Sequence, residues 1–497
     1  MNCRHRLIVT AIGALVALWS VVAPGLTALA QGGETTVNCN GLSEADCQVI
    51  AESTVAMQGL QSVTVPEWGV DLTVSDDQQT MAVQLAGSAA LVIPPDLREL
   101  ALAWAGLSQR FDAATLIATL ERLDAATIQT MLRGLGFYLV LDEVRLPEPS
   151  QSLSGPIEIV FKDMGVYLHA PSPTGADAWF GETLALTPED LSQLETSLQE
   201  ALTGLQSEEV QHMLAQLSEL SGPVERLQAL ASKHISTTRG ADVVYNGQTM
   251  FTFTTSFDLE GFLADPDLPV LVLALLKNPA LAALDIDLGD LETINEAQVQ
   301  FLLMTVSLLV SEARLSMEQW IGAQDRYVHR LSFDLGLDLN LALLGEEAET
   351  QTASVQGTVY AALDAINTTT LDAVTVPADY YPLDESDNYL VGTPDQIKAP
   401  LVVGQAVSGA FVNVDGEARD LYSLPLQAGD TVQIALASED YPYLSIYGPD
   451  GFLAEEFDTY YERTATFTAE QTGVHLFVVY AYWDMAYELT VSAVPHP

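Results

Sequence analysis

The stretch from Ile157 to Gly181, IEIVFKDMGVYLHAPSPTGADAWFG, decides how the chain folds. A histidine, a tyrosine and a tryptophan surround a proline-rich turn, which invites an active-site reading. The spacing argues otherwise. Ile157 and Ile159 begin a two-residue alternation that Val166, Tyr167 and Leu168 continue, the period of a strand with one face buried. The prolines and glycine of PSPTGAD, residues 171–177, set a turn. His169 falls at the strand's polar edge, and Trp179 anchors the sheet where it meets the next helix. The stretch reads as the rim of a curved sheet, with Tyr167 and Trp179 facing a ligand or a filled core.

Strand-like runs lie on both sides of this rim. SVTVPEWGVDLTVS (62–75) and MAVQLAGSAALVI (81–93) precede it, after a short helix in EADCQVIAESTVAMQGLQS (44–62). Near 97–134 the period lengthens into a helical insertion. Asp112 precedes Leu116, Leu120 and Leu123, and Asp124 precedes Ile128, Met131 and Leu135, so each of two short helices opens on an acidic cap. Thr187-Pro188-Glu189-Asp190 opens another: a hydroxyl cap, a proline whose missing N–H costs nothing, and acids at the positive end. Strands return in ADVVYNGQTMFTFTTSFDL (241–259), ARLSMEQWIGAQDRYVHRLSFDLGLDLNLALL (313–344) and TASVQGTVYAALDAIN (352–367).

Between those strands lie LPVLVLALL (268–276) and QFLLMTVSLLV (300–310), too short to span a bilayer and very apolar for a soluble surface. Such helices over two-faced strands either pack shut or leave an apolar cavity. The candidate lining is Leu268, Leu271, Leu273, Leu276, Phe301, Leu302 and Leu309, with Tyr167 and Trp179 at the rim.

The texture changes near residue 385. Prolines, acids and small polar residues at 384–398 read as a linker, and from 399 to 497 every segment is short and strand-like. Alternating runs such as RDLYSLPL, DTVQIALAS and GVHLFVVYA are separated by Ala-Gly-Asp, Pro-Asp-Gly and Thr-Gly turns, the pattern of an antiparallel sandwich.

The order GQAVSGAF, DLYSLPLQAGDTVQIAL, LSIYGPDGFL, ATFTAEQTGVHLFVV, YELTV resembles the bacterial pre-peptidase C-terminal domain, which implies a jelly-roll-like all-β sandwich serving as an accessory for surface or partner contact. In the larger part, VAMQGLQSVTV, then IEIVFKDMGVYLHAPSPTGADAWFG, GADVVYNGQTMFTFTTSFDL, MEQWIGAQDRYVHRLSFDL and INTTTLDAVTVPADYYPL resemble the LolA and LppX type of extracytoplasmic lipid and lipoprotein carriers. That resemblance, from about Asp46 to Leu383 in a domain of residues 31–383, implies an α+β fold in which a curved antiparallel half-barrel wraps over helices and encloses an apolar cavity.

Composition sets the compartment and excludes partners. Arg4 and Arg6, an apolar run from Leu7 to Val22, Pro24-Gly25 and Ala28-Leu29-Ala30 give residues 1–30 the order of a signal peptide, so the protein is expected to be secreted or extracytoplasmic, with cell-surface association open. Cys39 and Cys47 are expected to form a local disulfide there, with free thiols or a metal as the alternatives. A net charge of −49, with 18 Lys and Arg against 67 acids, excludes nucleic acid, whose binding needs clustered cations.

No Gly-x-Ser-x-Gly elbow, His-Glu-x-x-His, phosphate loop or EF-hand loop is present, and no histidine pair has chelating spacing, so no catalytic residue is nominated. Two binding chemistries stay open in the sandwich. Asp415, Asp420, Glu439, Asp440, Asp450 and Asp458 fall in or beside loops, where they either hold calcium or serve turn geometry. Tyr460, Tyr461, Tyr482 and Trp483 either stack on sugar rings or belong to the core. The expected function is an exported, non-enzymatic protein binding a hydrophobic ligand, lipid or acylated partner. The alternatives are a secreted hydrolase, an accessory subunit of one, or a surface adhesion protein.

Overall fold

The computed structural model describes residues 39–494 apart from 77–79, 102–112, 146–152, 184–186, 209, 213–214, 216–220, 279–293, 341–351, 373, 375, 377, 413–417 and 459–462. The expected leader, Asp112, Asp415, Tyr460 and Tyr461 lie outside the described residues.

The larger part begins with α1 (Glu44–Gln58), β1 (Ser62–Asp76) and β2 (Thr80–Val92). Helices α2 (Ala113–Leu120) and α3 (Ala125–Gly134) separate these strands from β3 (Gly136–Arg145), β4 (Leu153–Lys162), β5 (Gly165–Pro171) and β6 (Asp177–Thr183). Then come α4 (Pro188–Leu205), α5 (Ser221–Lys233), β7 (Ile235–Arg239), β8 (Val243–Tyr245) and β9 (Gln248–Phe257). The series closes with α6 (Leu259–Leu263), α7 (Leu268–Leu276), α8 (Glu296–Leu309), β10 (Val310–Gly322), β11 (Val328–Asn340), β12 (Thr352–Asp364) and β13 (Tyr381–Pro382).

These strands make one curved, thirteen-stranded sheet in the order β13-β6-β5-β4-β3-β2-β1-β12-β11-β10-β9-β7, with β8 on β9. It is open rather than a closed barrel. Its pairs are antiparallel except β13 against β6. The middle of the sheet joins β1 to β12, which are distant in sequence. Pro66, which has no N–H for a ladder, sits in the irregularity between Val65 and Trp68, as a proline inside a strand requires.

The expected caps form. The Asp124 side chain accepts from the Thr127 amide at the start of α3, and Thr187 and Asp190 complete a reciprocal capping box on α4. Below one end of the sheet, α1 buries Val49 and Met57 against Val63, Val65, Trp68, Leu139, Phe253 and Ile321. Cys39 and Cys47 form a disulfide, which ties the entering chain to α1. Asn40 then anchors that loop to the start of β7: its Nδ2 donates to the Ser232 carbonyl at 2.9 Å, and its own carbonyl accepts from the Thr237 amide at 2.9 Å.

The remaining strands are β14 (Ile397–Pro400), β15 (Ala406–Phe411), β16 (Ala418–Leu426), β17 (Thr431–Ser438), β18 (Tyr443–Tyr447), β19 (Leu453–Asp458), β20 (Thr464–Thr468), β21 (Gly473–Ala481) and β22 (Met485–Ala493). They form a five-stranded sheet, β14-β16-β21-β18-β19, and a four-stranded sheet, β15-β22-β17-β20, packed on a common core of Tyr422, Ile434, Ile446, Phe477, Leu489 and their neighbours. The fold is thus α+β: a half-barrel with helices, followed by an all-β sandwich.

The segment expected as a linker packs against both parts it joins. Tyr389 and Leu390 are each 4% exposed. The Leu390 amide donates to the Gly451 carbonyl, the Gly392 amide to the Pro171 carbonyl, and the Tyr389 hydroxyl to the Ala176 carbonyl. The PSPTGAD turn therefore meets the Pro-Asp-Gly turn of the sandwich across Tyr389. Gly451 has a φ of +86°, and a Cβ there would lie 2.6 Å from the Tyr389 ring, so both backbone conformation and space demand glycine.

Candidate functional site

Directly opposed residues in an antiparallel pair share a face, as do residues two apart on one strand. The registers of β2, β1, β12, β11 and β10 therefore define two chemically distinct faces. On one stand Val83, Leu72, Val74, Val355, Leu335, Leu337 and Leu315. On the other stand Gln84, Asp71, Thr73, Gln356, Gly336, Asp338 and Arg314.

The apolar face continues the core beneath α1, but its packing changes along the strands. Near α1 the side chains are fully buried; beyond Val70, Leu85, Met317 and Phe333 they are half-buried or exposed. Met81 and Phe333 reach 43% and 42% exposure. Among the described residues, five adjacent strands thus present an apolar floor of half-buried and exposed side chains.

Three helices stand at this end. α7 packs against α5 and α8, and α8 touches β10 and β11. α8 is apolar over most of its length: Val299 is buried, Leu303 and Val306 half-buried, and Phe301, Leu302, Met304 and Leu308 are 53–65% exposed. Large apolar side chains are normally turned away from water, yet this helix shows four of them to solvent. Its start is fixed by a reciprocal capping box: the Asn295 side chain accepts from the Gln298 amide, and the Gln298 side chain accepts from the Asn295 amide. Beside the floor, Asp258, Glu260, Ser307, Ser311 and Glu312 line a polar cleft of about 250 Å³ that also includes Ala313 of the apolar face. Among the described residues no helix is long and apolar enough to cross a membrane.

The nine candidate lining residues separate into two places. Leu268 is buried at the start of α7, Leu271, Leu273, Leu276 and Leu309 are half-buried, and Phe301 and Leu302 are exposed. These seven belong to the neighbouring helices α7 and α8. Tyr167 and Trp179 sit elsewhere, on β5 and β6. Tyr167 is buried edge-on against Tyr380, with ring centroids 5.3 Å apart, over the space left by Gly165 and Gly181. Trp179 stacks on His169 at 4.9 Å, and His169 Nδ1 lies 3.2 Å from Glu158 Oε1. The floor residues Leu72, Val74, Leu315, Leu335, Leu337 and Val355 were not among the candidates. Their signal was the alternation F-D-L-G-L-D-L from Phe333 to Leu339, which marks a strand but not an uncovered one.

Among the described residues no three His, Cys, Asp or Glu side chains gather as a metal cluster. Asp420 instead receives Lys398 Nζ at 2.6 Å and the Tyr487 hydroxyl, and Asp450 accepts from the Phe452 amide and from Gln471 Nε2. Burial, followed by the hydrogen bond to Asp420, pushes the Tyr487 hydroxyl far above the usual tyrosine range, so it is a donor at every physiological pH. His234 and His329 each pair with one aspartate, Asp265 and Asp325, at 3.0 Å.

An open α+β half-barrel with a partly exposed apolar floor, followed by a β-sandwich, is the class that fold and site define. No family model matches the chain, and no curated protein matches it. Solved structures similar to it include the lipoprotein LppX of Mycobacterium tuberculosis, 11% identical with a TM-score of 0.21, covering 68% of this chain and 100% of that one. LprF of Mycobacterium bovis is 11% identical with a TM-score of 0.23, over 67% of this chain and 97% of that one. The pre-peptidase C-terminal domain of a Bacillus anthracis collagenase is 18% identical with a TM-score of 0.17, over 19% of this chain and 96% of that one. These neighbours include both kinds of protein that the sequence resembles. The fold itself rests on the strand order and registers above.

Proposed function

We propose that this protein is an extracytoplasmic carrier that binds a hydrophobic ligand, a lipid or an acylated partner, on the apolar floor of the half-barrel beside α7 and α8. The observation that carries this reading is the exposure of the floor: a native core is normally close-packed, and among the described residues five strands and a helix leave large aliphatic and aromatic side chains half-exposed. The disulfide between Cys39 and Cys47 supports an oxidising compartment. The carrier unit runs to residue 383, 384–398 joins it to the sandwich, and 399–497 is an accessory for surface or partner contact.

Lipid extraction and native mass spectrometry of the purified protein test this. The expected result is a co-purifying acyl chain, or uptake of a fluorescent fatty acid at about one per protein. A ligand-free protein that also fails to take up the fatty acid would overturn the proposal.

A further inference from the structure

A second surface, on the sandwich, has its own chemistry. The inner face of the five-stranded sheet gives Leu444, Ile446, Phe477 and Val479 to the core, so Tyr443, Tyr447, Leu476, Val478 and Tyr480 point outward. At one end of that outer face, Tyr447, Leu476 and Val478 pack with Leu390 and Ile397. Toward the other end Tyr480, half-buried against the same cluster, leads on to more exposed rings. Tyr443 and Tyr480 stack across the β18–β21 pair with centroids 5.3 Å apart, and Tyr482 meets them edge-on at 6.0 and 6.5 Å. Tyr482, its neighbour Trp483, and Tyr441 in the preceding turn are all exposed.

Apart from Arg419, the charge around these rings is negative. Glu439 and Asp440 enter from the turn after β17, Glu456 from β19, and Asp484 from the turn before β22, all exposed. Tyr480 donates its hydroxyl to Glu456 at 2.6 Å, which joins ring and acid in one surface. Arg419 stands opposite Tyr480 on β16, on the side away from β19. From Asp420 to Pro497 the sequence has a single Lys or Arg, Arg463.

Open aromatic rings by themselves suit a sugar or a cation. The carboxylates decide between them: they add little for a neutral sugar, repel an anion, and attract a cation that the ring faces also attract. Because the acids come from three separate segments, a ligand carrying several charges along an extended chain satisfies them best. We propose that this patch binds a basic polypeptide segment, with Lys or Arg side chains over Tyr482 and Trp483 and beside Glu439, Asp440 and Glu456.

The test uses the full chain and a fluorescein-labelled octalysine peptide, followed by anisotropy at several salt concentrations. A double variant, Tyr482→Ser with Trp483→Ser, keeps the net charge and is expected to weaken binding about five- to thirtyfold. The triple variant Glu439→Gln, Asp440→Asn, Glu456→Gln is expected to weaken it too and to flatten its salt dependence, whereas Glu44→Gln, Glu200→Gln, Glu225→Gln leaves it within twofold. Unchanged binding by the double variant would show only the general field of an acidic protein and overturn the site. So would equal losses from the two triple variants, or binding of cellohexaose in place of octalysine.

Discussion

Leu139 and Leu335 lie on the same apolar face of one sheet, yet Leu139 is completely buried and Leu335 only half-buried. Truncating the first leaves a cavity in a packed core, at a cost of about 2–5 kcal/mol. Truncating the second removes only partly buried methyl groups, about 1 kcal/mol. Urea unfolding of Leu139→Ala and Leu335→Ala is therefore expected to separate them by at least about 1 kcal/mol, while Leu335→Ala loses fatty-acid affinity. Equal stability losses would mean a filled core at Leu335 and would remove the floor. His475 gives a residue-scale test of pH. It is buried on β21, edge-on to Phe467, and burial holds its imidazole below the ordinary histidine range despite the opposing pull of the Gly473 carbonyl and Asp450. The unfolded chain then binds a proton more readily than the folded one, so this contribution is complete above about pH 6.5 and declines as pH falls below that value. Melting curves from pH 7.5 to 5 are expected to fall more steeply for the wild type than for His475→Gln; parallel curves would refute the assignment. At this scale the alternation from Phe333 to Leu339 was readable, but the exposure of those residues was not, because it depends on helices distant in the chain. Tyr167 shows the same limit: its partner, Tyr380, belongs to a different part of the sequence.

Elements were more legible where local chemistry fixes them. Asp124 and Thr187 announce α3 and α4 through hydroxyl or carboxylate caps, and glycine-bearing turns divide most sandwich strands. Two strands escaped that reading. β14 falls in the proline-rich segment and β19 carries Glu455 and Glu456; both are edge strands, where proline and charge are tolerated because only one side must pair. The capping box of α8 was also present as Asn295 and Gln298, three residues apart, without being singled out. It bears directly on function, since α8 carries the exposed apolar residues. Asn295→Ala removes the side-chain acceptor for the Gln298 amide, a loss of about 1 kcal/mol. The expected outcome is faster amide exchange over Gln298–Leu303 and weaker fatty-acid uptake, with exchange in the sandwich unchanged. If uptake stays at the wild-type level while α8 frays, the helix is not part of the binding surface.

For the whole molecule, the order of a half-barrel followed by a sandwich could be read from the change of texture near residue 385, but the coupling between them could not. It depends on residues far apart in sequence. Phe452, after the Pro-Asp-Gly turn, lies 6.0 Å from Phe180, 4.6 Å from Tyr381 and 5.2 Å from Tyr389, measured between ring centroids. The same aromatic group covers the β6–β13 edge of the large sheet, so the sandwich both protects that edge and fixes its own position against the PSPTGAD turn. Aromatic contacts of this kind contribute about 0.5–1.5 kcal/mol each beyond simple burial, enough in combination to make two folding units melt as one. Calorimetry of the wild type is accordingly expected to show a single transition. In Phe452→Ala, which removes three ring contacts and trims only the margin of the half-barrel core, the transition should broaden or split into separate melts of the half-barrel and the sandwich. Two resolved transitions already in the wild type, or an unaltered single transition in the variant, would show that Phe452 does not couple them.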